Sequence, residues 1–158
     1  MLTRRMVLLS AIGAFSVRVR AQSRTTSGKM AELQPKLTDL ALEVAAGQQT
    51  KLDFSHNSIR NVESILATLH VEQHKSGSTD GVFGLALEFG AYIITVIERN
   101  TERGLWEKDH PSFGKNAFPF TWRNSTLFPV EWCLKRIVDG PEDNVWVKYE
   151  RLVLANLK

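Results

Sequence analysis

Four polar side chains interrupt an otherwise apolar stretch of the sequence. Glu88, Tyr92, Thr95 and Arg99 are spaced at i, i+4, i+7 and i+11 within residues 79–100. On a helix that spacing puts all four on one face. Burying unpaired polar groups costs about 1–3 kcal/mol each, so such a seam needs a purpose. One purpose is a pocket, with Glu88 as an acid or base of raised pKa and Arg99 as an anion contact. The other is a structural network, in which Glu88 bonds a neighbouring helix or Tyr92 and Arg99 sits at the helix end. The structural use is the expectation, with Glu88 the one weak catalytic candidate.

Other groupings carry less chemistry. His70 and His74 share a helix face with Glu72 between them. The zinc-protease pattern instead puts Glu directly after the first His, and two ligands fall short of the usual three or four. No metal and no cofactor is expected. Cys133 is the single cysteine, set between Trp132 and Leu134, so no intramolecular disulfide can form. It reads as a small buried hydrophobe. The four tryptophans (106, 122, 132 and 146) crowd the last third of the chain, with Phe113, Phe118, Phe120 and Phe128 among them. Most suit a core. Trp106 and Trp122 are candidates for exposed anchors that bind a glycan or a peptide partner. Lys135, Arg136, Asp139, Glu142 and Asp143 form a mixed-charge cluster that either ties down a helix end or faces a partner. Neither a phosphate-cradling glycine loop nor a Gly-x-Ser-x-Gly elbow occurs.

The elements that must position these residues follow from periodicity. Met30, Leu33, Leu37, Leu40, Ala41 and Val44 mark a helix whose regular part is expected to begin near Pro35 and to stop at Gly47. Leu52-Asp53-Phe54 reads as a short strand or a lead-in segment, and Ser55 as the cap of a second helix with Ile59, Val62, Ile65, Leu66 and Leu69 buried. Asp80 is expected to cap a third helix, at about 80–99, apolar nearly all round and therefore central. Glu88 near its centre argues against a membrane span. Residues 105–107, 118–122 and 126–128 look like strands joined by turns at Asp109-His110-Pro111 and Asn124-Ser125. A helix resumes at Pro129 and ends at Gly140-Pro141. Residues 142–155 suit a last helix, although Val145-Trp146-Val147 is β-prone. The expected fold is α+β: three to five helices around a small antiparallel sheet.

Several of these segments together are also similar to something known. Leu52-Asp53-Phe54-Ser55 is followed by Ser58 opening a helix, and Phe89-Gly90-Ala91-Tyr92 lies inside the next. Gly104-Leu105-Trp106 comes after, then Lys135-Arg136-Ile137-Val138-Asp139-Gly140 with Glu142-Asp143. This combination resembles a broad group of small bacterial domains of unknown function, over roughly residues 51–150. The resemblance implies an α+β domain with a small sheet flanked by helices, and no particular activity. Members usually carry Gly-Glu where this chain has Ile94-Thr95. A task of that glutamate in relatives would be missing here.

Length and charge bound the rest. The chain has 158 residues, 43% of them hydrophobic and 23% charged, as expected of one globular domain. It carries 20 Lys and Arg against 17 Asp and Glu. Arg4, Arg5, Arg18 and Arg20 fall in the first 21 positions, which hold no acid, so the remainder is close to neutral. No basic surface for nucleic acid is expected on it. Those 21 residues read as an export signal: Arg4-Arg5, an apolar run from Met6 to Val17, and small residues at Val19 and Ala21 before a cut. Thr3-Arg4-Arg5-Met6-Val7-Leu8-Leu9 resembles a twin-arginine signal. Residues 22–28 are expected to be a flexible mature N-terminus and 29–158 a single domain. The expected protein is a periplasmic, or else secreted, non-catalytic binding module. Its partner would be an envelope protein or a cell-wall glycan, and it would meet the membrane only during export. The alternative is a small glycan hydrolase with Glu88 as general acid/base and a second acid such as Glu98, Glu107 or Asp109.

Overall fold

A computed structural model describes the backbone of residues 11–158 and the side chains from residue 28 onward. The leader expected at 1–21, and nearly all of the polar stretch at 22–28, lie outside the described side chains. The fold is α+β, as the periodicity predicts. Five helices, α1 (Ala11–Gly47), α2 (Ser58–Ser76), α3 (Val82–Asn100), α4 (Pro129–Val138) and α5 (Val145–Leu152), accompany three short strands. These strands, β1 (Leu105–Trp106), β2 (Phe120–Trp122) and β3 (Ser125–Leu127), form an antiparallel sheet in the order β1-β2-β3. Single turns of 3₁₀ helix flank α5 at Pro141–Asp143 and Leu154–Leu157.

The third helix is the centre of the molecule. Ala86, Phe89, Ala91, Tyr92, Ile93, Ile94, Val96 and Ile97 are all fully buried, and they cover most of the circumference of α3, leaving open the side that carries Glu88, Thr95 and Arg99. One side packs on α1 and another on α4, while α2 rests on α4 and α5. The α1 contact uses the small residues Ala41 and Ala45, both sealed from solvent, so the two backbones come close. The α4 contact depends on Gly90: a Cβ there would lie 2.7 Å from Val130 Cγ2 and 2.9 Å from Val130 Cα. Gly84 has open space around it and plays no such part. Among the described residues no helix is long and apolar enough to cross a membrane.

Local details depart from the sequence expectations in five places. Pro35 does not start the first helix but lies inside it. The wall that α1 builds against α3 continues through it, and packing offsets the missing hydrogen bond. Leu52-Asp53-Phe54 is not a strand. The Asp53 carboxylate accepts from the Ser55 amide (3.0 Å) and hydroxyl (2.6 Å), folding the segment into a local turn. Asp80 does not cap α3. Gly81 stands at its N-terminus with φ 76°, a left-handed conformation that glycine takes without strain. The β2–β3 turn falls on Arg123 and Asn124, because Trp122 pairs with Ser125. Ser55 is not the cap of α2, whose N-cap position is Asn57 with no side-chain cap bond; the Ser55 hydroxyl instead accepts from Ser58 N, the first residue of the helix, at 3.2 Å. Residues 142–155 are helical, the Asn144 side chain accepting from Val147 N at 2.9 Å as an N-cap.

Candidate binding groove

The polar seam of α3 meets a second polar seam on α1. Gln34 and Thr38 continue the line of Ala41 and Ala45, the face that α1 turns toward α3. Thr95 and Glu98 lie opposite. Gln34 Nε2 donates to Thr95 Oγ1 (3.1 Å) and to Glu98 Oε2 (2.9 Å). The Thr95 hydroxyl donates to Ala91 O at 2.8 Å, so toward Thr38, 3.0 Å away, it is the acceptor and Thr38 the donor. Glu98 Oε1 takes the Gly104 amide at 3.0 Å. Each of these side chains is held by at least one neighbour. Together they line one side of a groove of about 320 Å³ with Pro35 and Asp39 of α1.

The other side is aromatic and cationic. Phe54, Arg99, Arg103, Gly104 and Trp106 complete the lining. The Arg99 guanidinium stacks on the Phe54 ring, 3.6 Å from its centroid. Among the described residues neither Arg99 nor Arg103 joins an ion pair. Trp106 is 4% exposed, and its Nε1 has no hydrogen-bond partner among the described residues. Gly104 is required by close approach: a Cβ would sit 2.4 Å from Phe120 Cε2 and 2.7 Å from Thr121 O.

Phe54 is held in place from both ends. Its φ is 62°, left-handed and costly for a bulky side chain. Its amide donates to the Tyr92 hydroxyl at 2.9 Å, and its carbonyl accepts from Asn100 Nδ2 at 2.8 Å. Ser58 Oγ donates to Ser55 O at 2.6 Å, so in its 2.7 Å contact with Tyr92 the tyrosine is the donor. Tyr92 therefore fixes the 54–58 segment and does not line the groove. Burial is the main reason its hydroxyl pKa is raised.

The structure distributes the sequence candidates as follows. Thr95, Arg99 and Trp106 come together in the groove, with Tyr92 behind it, but Trp106 is buried in the groove wall and is not the exposed anchor expected. Trp122 is 1% exposed and donates its Nε1–H to Thr101 Oγ1 at 3.0 Å, so it is a core residue and not an exposed anchor. Arg136 is also buried: its Nε bonds Glu63 Oε1 at 2.6 Å, while Glu63 Oε2 takes the Val145 amide at 2.8 Å. Lys135 beside it is exposed. Glu88 is half-buried and does not line the groove. Its pKa is raised, first by desolvation and then by Glu43 of α1, and its Oε2 has no hydrogen-bond partner among the described residues. Glu98, ten residues along the same helix, is displaced from it by about 15 Å of helical rise, beyond the ~5–10 Å of paired glycosidase carboxylates.

Sequence reasoning missed Gln34, Thr38, Phe54 and Arg103 as site residues. A signal existed for the first two, being polar residues on the very stripe that carries Ala41 and Ala45. Phe54 gave none, because nothing in its sequence neighbourhood announces a left-handed backbone. His70 and His74 do stack, with ring centroids 4.2 Å apart, and His70 Nδ1 bonds Ile137 O at 2.7 Å. Among the described residues no group of three or more His, Cys, Asp or Glu is placed to hold a metal ion. Cys133 is buried, and desolvation pushes its thiol pKa far up. Comparison with protein-family profiles, with curated proteins and with solved structures finds no match to this chain.

Proposed function

We propose that the chain is a non-catalytic binding module of the periplasm and that the groove between α1, α3 and β1 is its binding site. The observation that carries this reading is the preorganised lining. Gln34, Thr38, Thr95 and Glu98 are locked by mutual hydrogen bonds, and Phe54 is held in a strained conformation that presents its ring to Arg99. Fixing side chains before a ligand arrives lowers the entropy lost on binding. The volume is at the low end of small-ligand sites, enough for a sugar unit or a short peptide end. Cell-wall glycan is the ligand source that suits a leader-bearing domain, with an envelope protein as the other partner class.

The mature chain, residues 22–158, recovered from the host periplasm, should show saturation transfer in NMR to fragments of a cell-wall glycan digest. Asp39→Trp places a large ring at an exposed lining position and should abolish that transfer without unfolding the protein. Transfer that is absent from the native chain, or unchanged in the plugged variant, would sink the reading. Failure to find the chain in the periplasmic fraction would sink the location.

The hydrolase alternative has one observation in its favour: a carboxyl group of raised pKa with an unpartnered oxygen, at Glu88. It lies outside the groove, so the two readings call for different mutations.

A further inference from the structure

The groove is unevenly charged. At the C-terminal end of α3, Arg99 and Arg103 bring two guanidinium groups with no carboxylate among the described residues paired to either. Phe54 covers one face of Arg99, which leaves the in-plane N–H donors as the part able to bind. A guanidinium held flat in this way is shaped for the two oxygens of a carboxylate. Glu98 keeps its charge but makes no ion pair with either guanidinium, its two oxygens being directed to Gln34 and the Gly104 amide. On the α1 side the character reverses. Asp39 offers an exposed carboxylate, and Pro35 has no N–H to give to the Ala31 carbonyl. Both are acceptors, and they call for donors on the ligand.

Resting on the reading of the groove as a binding site, we propose that its ligand is an acidic sugar, a hydroxyl-bearing ring with one carboxylate. The carboxylate lies against Arg99 with Arg103 beside it, and the ring hydroxyls face Asp39 and the Ala31 carbonyl. A neutral sugar leaves both guanidinium groups without a direct ion-pair partner. A simple carboxylate leaves the α1 wall unused. An amino acid shares the carboxylate but brings an ammonium group in place of the hydroxyls.

The test uses the four tryptophan indole N–H resonances of the mature chain. The Trp106 signal reports on the groove and the Trp122 signal, bonded to Thr101, on the fold. Glucuronate, glucose, acetate and alanine are titrated in turn. Glucuronate alone should shift the Trp106 resonance in saturable fashion, and Arg99→Gln should weaken its binding by about tenfold or more. Arg99→Lys, which keeps charge but loses the planar fork, should fall between. An unmoved Trp122 signal in both variants shows that the fold is intact. Glucose matching glucuronate would overturn the carboxylate, and the binding reading would survive. Acetate matching it would overturn the sugar, and a stronger response to alanine would put an amino acid in its place. Glucuronate binding that persists in Arg99→Gln overturns the assignment of Arg99. If none of the four moves Trp106 while the glycan digest still shows saturation transfer, the acidic-sugar inference alone falls. If the digest is silent too, both fall.

Discussion

Glu88 and Tyr92 lie one helical turn apart on α3, and burial raises the pKa of both, yet they behave differently. Tyr92 has the Phe54 amide and Ser58 hydroxyl as partners. Glu88 has a buried oxygen with none among the described residues, and a like charge nearby in Glu43. Its folded pKa lies above the ordinary 4.5, so the folded protein holds this proton more tightly than the unfolded chain does. The associated stability is fully present below the unfolded pKa and is lost as pH rises through the folded one. Glu88→Gln removes the titration. The variant should match the native chain in urea midpoint near pH 4 and exceed it at pH 7, with an unchanged slope. A constant offset across that range would show that Glu88 is ionised freely. The same variant measures the hydrolase alternative, because any glycan cleavage by the native chain should disappear in it.

Between elements, the two interior glycines of α3 make opposite predictions. Alanine is the better helix former by about 1 kcal/mol. At Gly84 a Cβ meets nothing within 4 Å, so Gly84→Ala should stabilise by about that amount. At Gly90 it meets the backbone of Val130, which a rotamer change cannot move, so Gly90→Ala should cost about 1–3 kcal/mol through a forced separation of α3 and α4. Thermal unfolding of both variants decides the matter, and equal shifts would mean that the α3–α4 contact is loose. The presence of α3 was legible because its apolar residues run around most of the helix, a pattern that marks a central helix whatever its partners. So was α4, opened by Pro129 at its first position and closed by Gly140 at φ 107°. Which glycine touches a neighbour was not legible, since that depends on a crossing point between elements.

At the scale of the whole molecule, Glu63 holds three helices together. It stands on α2, takes Arg136 of α4 on one oxygen and the Val145 amide at the start of α5 on the other. Arg136 is 73 positions away in sequence, which is why Lys135 and Arg136 read as equivalent from the sequence and are not in the fold. Glu63→Ala strands a guanidinium that is 6% exposed and should cost about 3–5 kcal/mol in denaturant titration. Replacing both partners by methionine should recover a large part of that loss, because neither charge then remains buried. A single variant as stable as the native chain would show that water reaches the pair. The groove obeys the same rule. Its residues run from position 31 to position 106, and the sequence could show Thr95, Arg99 and Trp106 as unusual but not that Gln34, Thr38 and Phe54 meet them.

Pro35 has no amide proton, so the hydrogen-bond ladder of α1 has a missing rung between Ala31 and Pro35. In amide hydrogen exchange the two sides of that gap should open separately. Beyond it, Ala41 and Ala45 are sealed against α3, and those amides are expected to exchange only when the whole domain unfolds. Before it, a local opening suffices. The groove wall straddles the gap, so an occupant bridging both sides would replace the lost rung from outside the chain. Its arrival would appear as slowed exchange in residues 29–34, far from any change in the core.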